Sequence, residues 1–408
     1  MSYCLFRLLY GRSVQLIDGY FRFGQWDEFL TSRYLVALLC SLSLFGSSQA
    51  QEESPELASL GQALFFDTSL SLTRKQSCST CHEPGRAFSD GRVNELAGAV
   101  SLGDDGVSLG DRNTPSIVYA DQVPAFHKNV DDEYVGGLFL DGRSANLKDQ
   151  AGEPFLNPVE MAMPDRKSVV ERVRENSAYV ETLQSIFGLD VFSDEGKAFD
   201  AIVESIAAFE RTEIFSPFDS KYDRYLRGEY SLTHAEELGR LLFFSQLISC
   251  HGCHLLDTRE TFGSEPFTNH KYHNIGVPVN RVVRKMNGVS TADRGLAANP
   301  AVDDPAMAGK FRVPSLRNVA VTGPYMHNGI FRDLETAILF YDKYLVSNDV
   351  SKLNPETGEV WGDPEIEESI DLDLLQRGQP ITEERVDALV AFLKTLTDQR
   401  YEALLGQQ

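Results

Sequence analysis

Leu57, Leu60 and Leu64 recur at intervals of three and four residues, which places them on one face of a short helix. Ile202, Ile206 and Phe209 make a second such stripe, and Val386, Leu389, Val390 and Leu393 a third, opening near Thr382. Thr233 and Glu236 have the spacing of a capping box just ahead of Leu238, Leu241 and Leu242, so a helix is predicted to begin there. These stripes read as core. No stretch alternates apolar and polar long enough to predict a half-buried strand, and the expected class is all-α. Ser216-Pro217 interrupts the helical pattern and puts a domain boundary near 215–230. The expected domains are 51–215 and 216–408. Residues 347–380, rich in Asp, Glu, Gly and Pro, predict a long surface loop.

One apolar pattern occurs twice. Leu60-Gly61-Gln62-Ala63-Leu64-Phe65-Phe66 returns as Leu238-Gly239-Arg240-Leu241-Leu242-Phe243-Phe244. Such internal similarity points to two related domains. The 408 residues are enough for both to bury a core.

Charge narrows the partners. A formal charge of −22 argues against nucleic acid, which needs a basic face, and suits a cationic protein partner. No run of eighteen apolar residues predicts a membrane span. Arg33, the apolar run from Tyr34 to Phe45, and Ser48-Gln49-Ala50 together have the form of an export leader cleaved after Ala50. That predicts a periplasmic protein exported through the Sec pathway. Residues 1–30 then precede the leader as an extension, with translation expected to start near Leu30. Cys40 stands in a poor lipoprotein context.

Six cysteines decide the chemistry. Cys4 and Cys40 fall in the segment expected to be removed. The other four form Cys78-Ser79-Thr80-Cys81-His82 and Cys250-His251-Gly252-Cys253-His254. Each is a C-x-x-C-H, the attachment signature of haem c. Two thiols at this spacing reach the two vinyl groups of one porphyrin, and the adjacent His reaches iron from below. A disulfide inside so short a loop would constrain little. A four-Cys zinc site would need the two pairs brought together from far apart. A thioredoxin-like motif would not carry the following His twice. Two covalent haem c groups are therefore expected.

Beyond these motifs, residues 55–400 resemble the bacterial di-haem cytochrome c peroxidase family, which includes a MauG-like branch. The resemblance rests on Arg112-Asn113-Thr114-Pro115, Asp141-Gly142-Arg143, Asn157-Pro158-Val159-Glu160-Met161, Pro314-Ser315-Leu316-Arg317-Asn318 and Gly323-Pro324-Tyr325-Met326-His327-Asn328-Gly329. It implies a peroxide-reactive first haem, held by His82 in the first domain. The classical peroxidases carry a distal His ahead of the Arg-Asn-x-Pro motif. Here no His lies between His82 and His127, and the matching stretch around Asp105 offers none. An open iron, needing no reductive activation, is expected. Glu160 matches the family's distal carboxylate, which moves protons on bound peroxide, and Gln150 and Pro154 match other pocket residues.

The second haem is expected to be held by His254 and Tyr341. Tyr341 stands fourteen residues after His327, where classical peroxidases have Met and MauG has Tyr. A phenolate favours ferric and higher oxidation states. Asn113, Thr322 and Pro324 match positions that hold a calcium ion between the haems. Two departures stand out. Leu140 replaces the Trp that the family places between the haems, and Ile248 replaces the surface Trp through which MauG oxidises its protein substrate. Trp361, in the acidic loop, is the single Trp after residue 50. Maturation of methylamine dehydrogenase is therefore not expected, and another exit, through Tyr272 or the 347–380 loop, is left open.

The resemblance thus implies a peroxide-dependent oxidoreductase. Its expected partners are hydrogen peroxide and an electron-donor cytochrome or cupredoxin, or a protein substrate. Homodimers are common in the family. A conventional peroxidase served by a small cytochrome, and a non-enzymatic electron carrier with both irons closed, are the alternatives.

Overall fold

The computed structural model describes residues 54–92, 94, 96, 98–255, 264–345 and 352–406. The expected leader, its cleavage site, Cys4, Cys40 and residues 347–351 lie outside the described residues. The helices are α1 (Pro55–Phe65), α2 (Cys78–Cys81), α3 (Leu147–Leu156), α4 (Arg166–Arg174), α5 (Ser177–Phe187) and α6 (Glu195–Glu210). After these come α7 (Lys221–Leu226), α8 (His234–Phe243), α9 (Arg281–Asn287), α10 (Leu334–Asp342), α11 (Leu372–Leu375) and α12 (Glu383–Lys394). The described part is largely helical. Two small antiparallel pairs are added, His127–Lys128 (β1) with Tyr134–Val135 (β2) and Tyr272–His273 (β3) with Phe311–Arg312 (β4). Two-residue strands are too short to leave an alternating signature in sequence. No described helix is long and apolar enough to cross a membrane.

The repeated sequence proves to be a repeated helix crossing. α1 packs on α6, and α8 packs on α12 in the same manner. A Cβ on Gly61 would fall 1.8 Å from the Ser205 carbonyl oxygen, and one on Gly239 would fall 1.8 Å from that of Ala388. Only glycine lets the two backbones approach so closely. Each crossing carries a matching aromatic cluster. Phe65 meets Phe209 at 5.4 Å and Phe88 at 6.2 Å, while Phe243 meets Phe392 at 5.2 Å and Phe267 at 5.8 Å, between ring centroids. Two expected stripes supply core, with Ile202, Ile206 and Phe209 buried in α6 and Val386, Leu389, Val390 and Leu393 in α12, whereas Leu241 of α8 faces solvent although Leu242 is buried. The capping box at Thr233 and Glu236 opens α8 as the spacing predicted.

Polar groups tie distant parts of the chain together. The Tyr119 hydroxyl donates to Asp398 Oδ1 at 2.6 Å, and Asn318 Nδ2 donates to Asp398 Oδ2 at 2.7 Å. Arg317 gives two hydrogen bonds to Asp223, at 2.6 and 2.9 Å, and both side chains are wholly shut off from solvent. Removing one member of such a pair leaves a buried charge unmatched. Asp223→Ala is expected to cost about 3–5 kcal/mol of stability. Replacing Arg317 and Asp223 together with apolar residues should cost far less, and denaturant melts of the three proteins check both outcomes.

Residues 352–380 are not a loose loop. Trp361 packs edge-on against Phe331 and Phe340 at 5.4 and 5.3 Å, and Glu365 accepts from Arg284 at 2.7 Å and from the Asp293 amide at 2.9 Å. The half-buried aromatic and the specific acids were hidden by a polar average composition.

Candidate haem sites

Both C-x-x-C-H motifs sit on a single tight turn. In α2 the His82 amide donates to the Cys78 carbonyl at 2.9 Å, and in the second motif the His254 amide donates to the Cys250 carbonyl at 3.0 Å. Such a turn carries both thiols and the His on one short scaffold. None of the four cysteines forms a disulfide.

Each His is then aimed by its own backbone clasp. His82 Nδ1 lies 2.9 Å from the Phe88 carbonyl oxygen, and His254 Nδ1 lies 3.1 Å from that of Phe267. A carbonyl only accepts, so Nδ1 carries the proton and Nε2 is left with a free lone pair for a metal. Both clasping phenylalanines adopt left-handed backbone, φ 52° and 55°. That conformation is unfavourable for a bulky residue and is held where the surroundings impose it. Here it turns a carbonyl onto the imidazole. Burial depresses the basicity of both rings, His254 to about 4, so each is neutral, the state that binds iron. Burial also pushes the thiols of Cys78, Cys81 and Cys250 upward, that of Cys250 to about 12. They await thioether formation rather than acting as free nucleophiles.

The opposite walls differ. α3 and α10 hold matching places, α3 against α6 and α10 against α12. Asn146 precedes α3 as Asp333 precedes α10, each as N-cap residue. The eighth residue of α10 is Tyr341, and the eighth residue of α3 is Pro154. Burial drives the Tyr341 hydroxyl far above the ordinary phenol range, and the charges of Cys253 and Cys250 add to this. Tyr341 therefore shares the buried space of the second motif's thiols. The Pro154 side chain has no atom able to ligate a metal.

Glu160 faces the first motif, where its charge acts on Cys78 and Cys81. It borders a cavity of about 420 Å³ lined also by Phe139, Arg143, Glu153, Asn157 and Val203. Burial raises the Glu160 carboxyl above its ordinary range, against the opposing pull of Arg143, while Asn157 Nδ2 donates to Oε1 at 2.7 Å. Gln150 lies one turn before Pro154 and does not line this cavity. Asp105 is exposed and closes a turn, accepting from the Val107 and Ser108 amides at 2.9 and 2.8 Å. The neighbouring Asp104 amide donates to the Glu160 carbonyl at 2.8 Å, so this stretch lies beside Glu160 and brings it no imidazole.

The segments bearing the expected calcium ligands meet. The Asn113 amide donates to the His327 carbonyl at 2.7 Å, and Asn113 Nδ2 to the Ala99 carbonyl at 3.1 Å. Thr322 Oγ1 donates to the Asn318 carbonyl at 3.2 Å, and Pro324 approaches Gly98. His327 stacks on Phe311 at 3.8 Å, with Nε2 4.0 Å from Glu365. Tyr272 is buried, its hydroxyl donating to the Gly136 carbonyl at 2.5 Å, so it offers no surface exit. Ile248 packs against the second core.

Sequence reading missed Glu210. It is buried on α6 and acts on Cys78, and its Oε2 has no partner. Burial raises its carboxyl to about 8. A raised carboxyl stays protonated in the folded chain while the unfolded chain ionises, so its contribution is full below about pH 4.5 and is lost as pH rises toward 8. Glu210→Gln is expected to flatten this fall, by up to about 1.4 kcal/mol per pH unit. Melting across pH 5–8 checks it.

Gln76 Oε1, Glu210 Oε2, His270 and Arg312 Nε are all buried without a protein partner. Protein interiors rarely leave such groups empty. A planar group with polar edges in each slot suits them, as haem c does.

Comparison with known proteins gives this chemistry a family. A family model described as di-haem cytochrome c peroxidase matches residues 55–231. The chain is 53% identical over 363 residues to the methylamine utilization protein MauG of Paracoccus denitrificans, covering 88% of this chain and 93% of that one. It belongs to the di-haem cytochrome c peroxidase/MauG family. It is 32% identical to the cytochrome c peroxidase Ccp of Escherichia coli, over 71% of this chain and 54% of that one. The crystal structure of the di-haem peroxidase BthA from Burkholderia thailandensis superposes with a TM-score of 0.74 at 31% identity, covering 86% and 87% of the two chains. The protein is thus an enzyme of the peroxidase type with the di-haem peroxidase fold, and haem c is its cofactor.

Proposed function

We propose that this enzyme is a periplasmic, MauG-like, peroxide-dependent oxidoreductase with one open and one closed haem. The observation that carries this is the contrast between Pro154 and Tyr341 at matching places of α3 and α10. Residues 51–215 form the first haem domain, with Cys78, Cys81 and His82 holding its haem. Residues 216–408 form the second, where Cys250, Cys253, His254 and Tyr341 would hold its haem. When bound, the two haems would supply the redox chemistry, including the two electrons that break the O–O bond of peroxide.

The chain's own groups handle protons and position. The clasps on His82 and His254 keep each imidazole neutral and oriented. Glu160, held by Asn157 and raised by burial, takes a proton from one oxygen of hydrogen peroxide and delivers it to the other, which would depart as water with the two electrons that a bound haem supplies. Asn113, Thr322 and Pro324 would hold a calcium ion through hard oxygen atoms. Oxidation ends on an electron-donor cytochrome or cupredoxin, or on side chains of a partner protein. The acidic surface favours a cationic one.

The test adds stoichiometric hydrogen peroxide to the fully ferric protein and follows absorption and EPR spectra. Loss of both ferric signals is expected. A reaction that waits for one haem to be reduced would instead mark a conventional peroxidase. Inertness of the half-reduced protein as well would mark an electron carrier.

A further inference from the structure

His270 is 2% exposed, and neither of its ring nitrogens has a partner. Arg312 lies beside it with Nε shut off from solvent and equally unpartnered. Their backbones are firmly held. The Arg312 amide donates to the Leu140 carbonyl at 2.9 Å, and the Gly136 amide to the His270 carbonyl at 3.0 Å. The His270 amide donates to Thr268 Oγ1 at 2.9 Å, and that hydroxyl donates to the Val313 carbonyl at 2.7 Å. β3 and β4 pair Tyr272 with Arg312. His270 adopts left-handed backbone, φ 56°. A fixed, strained frame thus presents two side chains whose buried nitrogens no described protein group answers.

The charge there is unbalanced. The groups that act on Arg312 and His270 are each other and Tyr272. Asp141 is the acid nearest to Tyr272 by its influence, and its carboxylate is committed to Arg112 at 2.7 Å and Arg143 at 3.0 Å. Burial weakens the hold of Arg312 on its proton and takes His270 down to about 3, so His270 is neutral and donates through one nitrogen. Arg312 is half-buried, its Nε is shut off from solvent, and no carboxylate of the described residues pairs with it, so an anion there would be stabilised.

We propose that Arg312 and His270 form the receptor for a propionate carboxylate of the second haem. A guanidinium edge and an imidazole N–H are the donors that a carboxylate takes with the best geometry. The second haem is the source because His270 belongs to the segment whose Phe267 carbonyl aims His254. On the next strand residue, His273 acts electrostatically on His254. Through the Leu140 carbonyl the receptor touches the very residue that replaces the family's inter-haem Trp, so this ion pair lies on the seam between the two redox centres. The proposal rests on the di-haem reading above.

The test uses the haem-loaded protein. Counting the haems comes first, because a chain carrying fewer than two overturns the parent reading rather than this one. Arg312→Gln leaves the carboxylate uncompensated. The extra negative charge stabilises ferric iron, so the potential of the second haem falls, and the propionate bending band in its resonance Raman spectrum shifts. His270→Leu gives a smaller change of the same sign, and Arg312→Lys restores most of the potential. Unchanged potential and unchanged propionate band in Arg312→Gln overturn the proposal. Should the variants fail to fold, a crystal structure of the unaltered haem-loaded protein decides. A haem carboxylate oxygen within about 3.2 Å of Arg312 Nε or a His270 nitrogen upholds the receptor. Neither contact overturns it.

Discussion

Glu160→Gln is expected to slow the reaction of the ferric protein with hydrogen peroxide by roughly 10²- to 10⁴-fold, the span that a positioned proton carrier contributes. The reasoning is local. Glutamine keeps the shape of the side chain and a partner for Asn157 Nδ2, 2.7 Å away, but cannot take up and return a proton. Both haems should still load, because Cys78, Cys81 and His82 are untouched. Stopped-flow absorption at several peroxide concentrations measures the effect. A rate within a factor of three of the unaltered protein would remove Glu160 from the mechanism. The pH profile gives a second readout. Burial raises the Glu160 carboxyl, so the rate step that belongs to its ionisation should lie above the ordinary carboxylate range and vanish in the variant.

Tyr341→Met is expected to raise the potential of the second haem by on the order of a few tenths of a volt, within the span of about 0.8 V that axial ligands cover. A thioether stabilises ferrous iron, whereas a phenolate stabilises ferric and higher states. Methionine fits the slot because it is unbranched and adaptable. The second haem should then reduce readily, and peroxide added to the ferric protein should no longer bleach both signals together. Spectroelectrochemical titration measures the first effect and EPR the second. An unchanged potential would mean that Tyr341 is a packing residue of α10 and not a ligand.

Much of this was legible in the chain. The C-x-x-C-H pairs announce themselves because thioether chemistry tolerates little variation in spacing. The helix stripes of α6 and α12 were readable because one face of each is wholly buried. The capping box of α8 was readable because reciprocal hydrogen bonds fix the interval between Thr233 and Glu236. Other features left no local mark. Phe88 and Phe267 are read as core aromatics, yet their carbonyls matter more, and a carbonyl's direction depends on a backbone angle that the residue type disguises. Glu210 looks like any acid at the end of a helix until packing closes over it. Arg312 and His270 are ordinary polar residues in sequence, and only three-dimensional closure shows that nothing answers them. The correspondence of Pro154 with Tyr341 becomes visible once α3 and α10 are placed against α6 and α12.

The Tyr119–Asp398–Asn318 network joins side chains from positions far apart in the chain, one of them in its last dozen residues. It has a consequence for how the protein comes apart. A chain built of two matching crossings could melt in two steps, each crossing on its own schedule. With Asp398 shared by Tyr119 and Asn318, neither crossing can open without stranding a buried carboxylate in the other. The molecule should give one calorimetric transition, and trimming the last eleven residues, Asp398 among them, should split it into two.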